Sequence, residues 1–140
     1  MRKNIWIFGG TGFIGKALVK CLSLSEDYQL HLLVHQNIPY KFLEPYSIFT
    51  GSLEDFDLTW MEKYPPDIIF HLARMAGANA ITRSLSSYKG AKANERIIQF
   101  LSKRPISPVI VYVSGSLMYG HQIKETGFNS DFSLTLVSFI

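Results

Sequence analysis

The chain alternates short, wholly apolar runs with segments in which apolar residues recur every three or four positions. The first run, residues 4–10, ends at two glycines, and residues 13–24 then show the spacing of an amphipathic helix. Further runs with the length of buried strands cover residues 28–35, 46–52, 67–73 and 108–116. Two more helices, each followed by proline, are predicted over residues 56–64 and 87–103.

The predicted strands are apolar throughout instead of alternating between apolar and polar residues. Such strands are usually buried on both faces, as in a parallel sheet that helices cover. Strands and helices that follow one another at this spacing favour a right-handed βαβ series. The pattern therefore predicts an α/β protein with a doubly wound parallel sheet of about five strands.

Composition and charge narrow the class of protein. The chain has 140 residues, the size of one domain, and is 47% hydrophobic and 18% charged, so it can build a core. The formal charge of +3 is small and scattered, and no basic stripe with interleaved aromatic residues favours nucleic acid. No apolar run reaches the ~18 residues of a membrane span, and no cleavage signal follows the basic start. We therefore expect a cytoplasmic protein without nucleic-acid or membrane partners.

The sequence has one cysteine, Cys21, which excludes an intrachain disulfide and argues against a metal cluster. A reducing compartment is consistent with this usage. Because Cys21 falls within the apolar pattern of the first helix, we expect a buried structural thiol and no metal site.

Glycines at three-residue spacing follow the first strand and open the first helix, in the stretch GGTGFIG. One glycine lets the chain turn off the strand, the middle one lets the backbone approach a pyrophosphate, and the last allows the helix to pack closely. The phosphate then meets free N–H groups at the positive end of the helix. Gly9, Gly12 and Gly15, with Phe13 and Ile14 between them, are therefore predicted to bind a dinucleotide. A tight glycine turn without a ligand is the alternative.

Three motifs in order resemble the extended short-chain dehydrogenase/reductases, of the NAD-dependent epimerase/dehydratase type. They are the glycine loop, HLAR at residues 71–74 and YVSGSLMYG at residues 112–120, and the resemblance runs from about residue 4 to residue 125. It implies a Rossmann-like fold that binds NAD or NADP. It also implies oxidation, reduction, epimerisation or dehydration by hydride transfer, often on nucleotide sugars.

The resemblance assigns the adenosine half of the cofactor to the ends of the second and third strands. There the family uses an acidic residue for NAD or a basic one for NADP. His35 holds this position, so both cofactors stay open with a lean towards NADP, and a cap of the strand edge is the alternative. The family's Gly-Asp-Leu turn, whose aspartate faces adenine, corresponds to residues 51–53. Ser52 replaces the aspartate, so Ser52 and the backbone of Leu53 are expected near the base with weaker recognition, unless the segment is a plain turn.

The resemblance places the end of the fourth strand against the ribose and phosphates of the cofactor. Leu72 and Ala73 fit the family's small residues there. Arg74 departs from the pattern and sets a cation near the expected pyrophosphate, where it either pairs with phosphate or points into solvent. His71 is expected to be a core histidine with satisfied hydrogen bonds. Asn94 resembles a helix asparagine that shapes the family's site, and an ordinary exposed asparagine is the alternative.

The fifth strand is expected to border the nicotinamide and the substrate. In the family, a serine or threonine four residues before a Tyr-Gly pair binds the substrate, but Gly115 stands there in this chain. Its neighbours Ser116 and Ser114 are the candidate catalytic residues, and Ser116 is preferred. The family's Tyr-x-x-x-Lys acid–base pair has no counterpart after this strand. Tyr88 and Lys92 have the spacing but precede the strand, so we interpret the match as chance.

The sequence therefore predicts an incomplete NAD(P)-binding domain at residues 1–125 and an apolar tail out of its context at residues 126–140. The leading hypothesis is the cofactor-binding part of an epimerase/dehydratase-type oxidoreductase that is inactive alone, because the acid–base pair and the substrate region are missing. The alternatives are a non-catalytic dinucleotide sensor or partner-interaction module, and a truncated remnant without function. The expected partners are the cofactor, an unidentified substrate, and either a second copy or a complementing chain.

Overall fold

The structure is a computed structural model that describes residues 2–35, 46–73 and 79–113, without the side chains of Ala80 and Arg83. Every predicted strand and helix is present in these ranges. The elements are β1 (Lys3–Phe8), α1 (Phe13–Leu22), β2 (Tyr28–Val34), β3 (Ser47–Thr50), α2 (Thr59–Lys63), β4 (Ile68–His71), α3 (Ala80–Ser102) and β5 (Val109–Tyr112). The strands form one parallel sheet in the order β3-β2-β1-β4-β5, which confirms the Rossmann-like α/β fold.

The central strand β1 marks the place where the strand order reverses. Phe8, its last residue, lies opposite Leu33 of β2 on one side and His71 of β4 on the other. The chain first builds outwards from β1 to β3, and then returns to pair β4 with the free side of β1. In open parallel sheets, ligands bind beyond the carboxyl ends of the strands at this reversal.

Alternate residues of β1 face opposite sides of the sheet and enter two separate apolar clusters. Ile5 and Ile7 pack with Val19 of α1, whereas Trp6 and Phe8 pack with side chains of α2 and α3. The helical contributions to the second cluster are Met61, Ala93, Ile97 and Leu101. Because helices cover both faces, both sets of side chains are buried, and this explains why the strands are apolar throughout.

The α2 side of the sheet contains a cluster of aromatic rings around Trp6. The indole stacks on His31 with ring centroids 5.0 Å apart and on Phe49 at 4.8 Å, and its Nε1–H donates to the backbone oxygen of Tyr64 at 2.9 Å. His31 is fully buried, and its Nε2 lies 3.0 Å from Oδ1 of Asn4. Burial lowers the pKa of His31 to about 4, so the ring is neutral at pH 7.

The prediction that Cys21 is buried is wrong, because Cys21 is exposed. Helix α1 buries Gly15 and Val19, which lie four residues apart on one face. Cys21 follows Val19 by two residues and so points about 200° around the helix from it. Phe13 belongs to the same predicted apolar stripe and is also exposed.

The fifth strand also differs from the expectation of a strand buried on both faces. All four residues of β5 are exposed, and Val109 keeps 62% of its surface accessible. Within the described ranges β5 pairs with β4 alone and ends the sheet, so it receives less cover than the central strands. In the same ranges, no helix is long and apolar enough to cross a membrane.

Candidate functional site

A cleft of about 540 Å³ opens at the carboxyl ends of the strands, where the strand order reverses. Its walls come from the segments that follow four of the five strands. The lining residues are Gly9, Thr11, Gly12, Leu33, His35, Gly51, Ser52, Leu53, Leu72 and Ala73. Seven of these ten residues are predicted site residues from the sequence, so the structure brings that set together in one cavity.

The turn at Gly9 forms the floor of the cleft. Gly9 has a φ of +84°, a left-handed conformation that L side chains rarely adopt. A Cβ at this position would lie 2.8 Å from the backbone nitrogen of Ala73 and 2.9 Å from the carbonyl carbon of Leu72. The turn after β1 therefore lies directly against the segment after β4, and a hydrogen bond from Leu72 N–H to Phe8 O at 2.9 Å joins the two.

Gly12 and Gly15 serve different purposes in the same loop. Gly12 is the N-cap of α1, lines the cleft, and has only Gly9 O within 4 Å of an added Cβ, at 3.3 Å. At Gly15 a Cβ would overlap Gly9 O and approach the carbonyl carbon of Gly10 to 2.7 Å. Gly15 therefore allows the close packing of α1, and Gly12 keeps the cleft open.

The N-terminus of α1 offers an electropositive end to the cleft. Gly12 has no side chain that accepts from the first N–H groups, and the first turn contains no acidic residue. A helix start of this kind favours an anion through its N–H groups and its dipole. The side chains of Phe13 and Ile14 are 95% and 55% exposed and do not line the cleft, so only their backbone can contribute there.

The end of β2 forms the next wall of the cleft. His35 directly follows the strand, is exposed, and lines the cavity together with Leu33. A hydrogen bond from Gly51 N–H to Val34 O, at 2.9 Å, keeps the ends of β2 and β3 level. His35 and Ser52, which follow these two neighbouring strands, therefore line adjacent parts of the cleft.

Ser52 makes two hydrogen bonds to Asp55 within its own turn. Its hydroxyl donates to Oδ2 of Asp55 at 3.0 Å and accepts from the Asp55 backbone N–H at 3.3 Å. The same N–H also reaches Ser52 O at 3.2 Å. Although Ser52 stands where the resemblance expects an aspartate, a carboxylate from three residues away contacts its hydroxyl.

Two cationic side chains of helix α3 contact this turn. The guanidinium of Arg96 donates through Nη2 to Phe56 O at 2.7 Å and to Leu53 O at 3.2 Å. Lys89 on the same helix lies 3.8 Å from a carboxylate oxygen of Glu54. Two cations on one helix therefore hold both the backbone and a side chain of residues 53–56.

A sequence model of the NAD dependent epimerase/dehydratase family matches residues 5–135. The chain belongs to this epimerase/dehydratase family. No curated protein sequence matches it.

Solved structures of the epimerase/dehydratase type resemble the fold. The PbgP3 protein from Burkholderia pseudomallei has a TM-score of 0.72 and 25% identity over 94% of this chain and 40% of its own. The dTDP-glucose 4,6-dehydratase from Bacillus anthracis in complex with NAD has a TM-score of 0.67 and 20% identity, and the match covers 92% of this chain and 43% of the dehydratase. The UDP-glucose 4-epimerase from Brucella ovis in complex with NAD has a TM-score of 0.67 and 19% identity, and the match covers 84% of this chain and 37% of the epimerase. The chain thus spans about two fifths of the length of these proteins.

In this epimerase/dehydratase chain, His71 is a core histidine as expected, but only one of its two ring nitrogens has a hydrogen-bond partner among the described residues. Its Nε2 lies 2.8 Å from Oδ1 of Asn94, while Nδ1 is buried and has no hydrogen-bond partner among the described residues. Burial lowers the pKa of His71, which the hydrogen bond to Asn94 opposes only in part. The backbone of His71 also contacts the residue that follows β5, because its carbonyl accepts from Val113 N–H at 3.2 Å.

Three predicted site residues of the family, Arg74, Ser114 and Ser116, lie outside the described residues. Tyr88 and Lys92, whose spacing we interpret as chance, lie on α3 and line no part of the cleft, and Lys92 Nζ lies 3.1 Å from a carboxylate oxygen of Glu95. Among the described residues, no group of three or more His, Cys, Asp and Glu side chains is arranged to hold a metal ion.

Three cleft residues were not singled out in the sequence: Thr11, Leu33 and Gly51. Thr11 occupies a variable position of the glycine loop, and Leu33 is one apolar residue among several in β2. Gly51 has a φ of +154°, with nothing within 4 Å of an added Cβ. Its only signal was its place in the turn that the resemblance identified.

Proposed function

We propose that the cleft binds the adenosine diphosphate part of a nicotinamide dinucleotide, NAD or NADP. The pyrophosphate lies at Gly9 and Gly12 and meets the N-terminus of α1. The adenosine ribose lies at His35, and the adenine lies at Ser52 and Leu53. Leu72 and Ala73 cover the other side of the phosphates.

One observation carries this proposal: the segments after β1, β2, β3 and β4 meet in a single cleft at the reversal of strand order. The turn at Gly9 brings a left-handed backbone against Ala73, and Gly12 leaves space directly at the uncapped helix start. An elongated ligand with phosphate at its centre fits these features, because phosphate is the group that a helix N-terminus favours. A glycine turn of purely structural purpose explains Gly15 but not the open space at Gly12.

The side chain at His35 leaves both cofactors possible. NAD selection in this fold relies on a carboxylate after β2 that accepts from the ribose 2′-hydroxyl. His35 offers no such carboxylate, and an imidazole N–H can donate a hydrogen bond to a 2′-phosphate. We therefore propose that NADPH binds at least as tightly as NADH.

The chemistry we propose is that of an epimerase/dehydratase-type oxidoreductase acting on nucleotide sugars, to which residues 1–125 contribute the cofactor-binding domain. The bound nicotinamide would supply hydride transfer. The NAD complexes of the sugar-nucleotide epimerase and dehydratase with the same fold support this substrate class. Since the chain spans about two fifths of their length, we propose that it binds cofactor but is inactive alone, with Ser114 and Ser116 bordering the reaction site.

The test is a fluorescence titration of the purified chain with NADH and with NADPH. The variant Gly12→Val should weaken binding about tenfold or more, because a side chain there enters the space that the second glycine leaves for pyrophosphate. The fold should survive, since Gly12 has an ordinary φ of −72° and its added Cβ meets only Gly9 O, at 3.3 Å.

The matched control is Ala17→Val, which adds the same side chain to an exposed position of α1 that does not line the cleft. It should leave both affinities unchanged. If neither NADH nor NADPH binds the wild-type chain, or if Gly12→Val binds as tightly as the control, the proposal is wrong. Tight binding without turnover of any nucleotide sugar is the result expected both of the proposed domain and of a non-catalytic dinucleotide module.

A further inference from the structure

The hydroxyl of Ser52 has one hydrogen-bonding capacity left, and that capacity is an acceptor. A serine hydroxyl donates one proton and accepts with two lone pairs. Its proton goes to Oδ2 of Asp55 at 3.0 Å, and one lone pair accepts from the Asp55 backbone N–H at 3.3 Å. A ligand atom that reaches this oxygen therefore finds an acceptor and no available proton.

The position of Ser52 in the cleft indicates which part of a dinucleotide it meets. Gly12 lies at the start of α1, His35 follows β2, and Ser52 follows β3, so the three succeed one another along the sheet edge. In this fold the pyrophosphate lies at the helix start and the ribose after the second strand. The group attached to that ribose, the purine base, then lies at the end of β3 beside Ser52.

We propose that Asp55 is a positioning residue that makes Ser52 an acceptor for the exocyclic amino group of adenine. The site thereby distinguishes adenine, which carries an N–H donor at C6, from hypoxanthine, which carries a carbonyl oxygen there. In a hypoxanthine dinucleotide, the C6 oxygen would face the remaining lone pair of Ser52 Oγ, so two hydrogen-bond acceptors would oppose each other. This inference rests on the proposed dinucleotide site and names its selectivity for the base.

Side chains of α3 contact the turn that contains Ser52 and Asp55. These contacts help to fix the backbone of the turn and with it the orientation of Ser52. Arg96 donates to the carbonyls of Leu53 and Phe56, on either side of Asp55. Glu54 points towards Lys89, 3.8 Å away, and so does not compete for Ser52. Asp55 is the carboxylate that contacts the hydroxyl, and Glu54 is its neighbour without that contact.

The experiment compares the affinities of the full chain for NADH and for reduced nicotinamide hypoxanthine dinucleotide. Both are titrated by nicotinamide fluorescence under identical conditions. The wild-type chain should favour NADH about fivefold to tenfold, the effect expected of one neutral hydrogen bond replaced by a mismatch. In Asp55→Ala the hydroxyl of Ser52 loses its acceptor and can rotate to donate to a C6 oxygen. The ratio of the two affinities should therefore fall close to one.

Glu54→Ala is the matched control, because it removes a carboxylate from the adjacent position of the same turn. It should keep the wild-type ratio, whereas general loosening of the turn would lower both affinities in either variant and leave the ratio unchanged. If Asp55→Ala does not fold, Ser52→Ala provides the same test, since the backbone bond from Asp55 N–H to Ser52 O at 3.2 Å remains.

The outcomes separate this inference from the proposed function. Equal wild-type affinities for the two dinucleotides would overturn the role of Asp55 and leave the dinucleotide site standing. Unchanged discrimination in a folded Asp55→Ala variant would overturn it as well, and if that variant does not fold, unchanged discrimination in Ser52→Ala would do so. If neither dinucleotide binds the wild-type chain, the proposed function falls and this inference falls with it.

Discussion

The three glycines of the loop after β1 lie in three different local environments. Gly9 adopts a left-handed φ, Gly15 has backbone within 2.7 Å of any added Cβ, and Gly12 has neither restriction but lines the cleft. Their spacing in the sequence predicted all three together. It did not separate the packing glycine from the one that leaves space for a ligand, because that distinction depends on contacts with the chain around them.

The variant Gly15→Ala should destabilise the fold by about 2 kcal/mol, because overpacking against backbone usually costs ~1–3 kcal/mol. The added methyl group would overlap Gly9 O and the backbone of Gly10, neither of which can move away as a flexible side chain would. Urea unfolding of both proteins measures the change in the free energy of unfolding.

Gly12→Ala is the comparison within the same loop, since its methyl group meets only one atom, at 3.3 Å. It should change the free energy of unfolding by less than about 1 kcal/mol. Equal destabilisation by the two substitutions would contradict the division of roles between Gly12 and Gly15.

His31 shows a residue-scale feature without a sequence signal. It lies in the middle of an apolar strand, and the pattern predicted the strand without assigning the imidazole a place. Its position between Trp6 and Tyr64, with ring centroids 5.0 Å and 4.9 Å away, depends on pairing between strands and on the turn after α2. Burial lowers its pKa from 6.5 to about 4.

Stability should therefore fall as the pH falls from about 6.5 to about 4. The unfolded chain takes up a proton at His31 throughout this range and the folded chain does not, so acid favours unfolding. His71, whose pKa burial also lowers, acts in the same direction. The contribution of His31 is about 3 kcal/mol, which is fully present above pH 6.5 and is lost as the pH falls to about 4.

Urea unfolding at several pH values measures this dependence, and His31→Phe should reduce its slope. Phenylalanine keeps an aromatic ring beside Trp6 but takes up no proton. An equally steep loss of stability in His31→Phe would show that other groups cause the acid sensitivity.

At the element scale, the sequence predicted each strand and helix, because glycines and prolines punctuate the chain at their ends. The exception is the start of α3, which begins at Ala80, seven residues before the prediction. Its first two turns carry few apolar residues with helical spacing, and what starts the helix is a hydrogen-bonded pair. Asn79 accepts from Thr82 N–H at 2.8 Å, and Thr82 Oγ1 accepts from Asn79 N–H at 2.9 Å. This reciprocal pair of hydrogen bonds is a capping box. A capping box usually has Glu or Gln at the third helical position, so threonine there is a weaker sequence signal for a helix start.

Asn79→Ala should lower the free energy of unfolding by about 1 kcal/mol, the usual cost of losing an N-cap side chain. The first turn of α3 loses the acceptor for Thr82 N–H. Asn79→Asp is the control, because aspartate keeps an oxygen at the same place and should restore wild-type stability. Thermal unfolding followed by circular dichroism measures both variants, and an Asp variant as unstable as the Ala variant would contradict the capping role.

At the scale of the whole molecule, the sheet topology explains why a site was predictable from separate motifs. The glycine loop, His35, Ser52 and Leu72 each follow a strand, and in a parallel sheet these positions share one edge. The sequence therefore indicated which segments meet. It did not indicate the shape of the cleft or the contact between Ser52 and Asp55, because both depend on how α3 fastens the turn after β3.

The exposure of β5 belongs to the same scale. An apolar run has the same pattern whether a strand lies at the centre of a sheet or ends it, so composition predicted burial for both. Ile69 of β4 is fully buried, while its partner in register, Ile110 of β5, is 37% exposed. Position in the strand order, which no local pattern encodes, makes the difference.

The central place of β1 also has a consequence for synthesis on the ribosome. β1 is made well before β4, yet β4 is one of its two neighbours in the sheet, and Ile68 of β4 pairs with Ile5. The chain must grow by some 60 residues between these partners, which takes about 3 to 13 seconds at ~5–20 residues per second. During that interval Trp6 and Phe8 lack the strand that completes their burial. Throughout this interval the nascent chain therefore carries apolar side chains of β1 without their final cover, and transiently exposed apolar surface of this kind is what makes a chain prone to aggregation before it is complete.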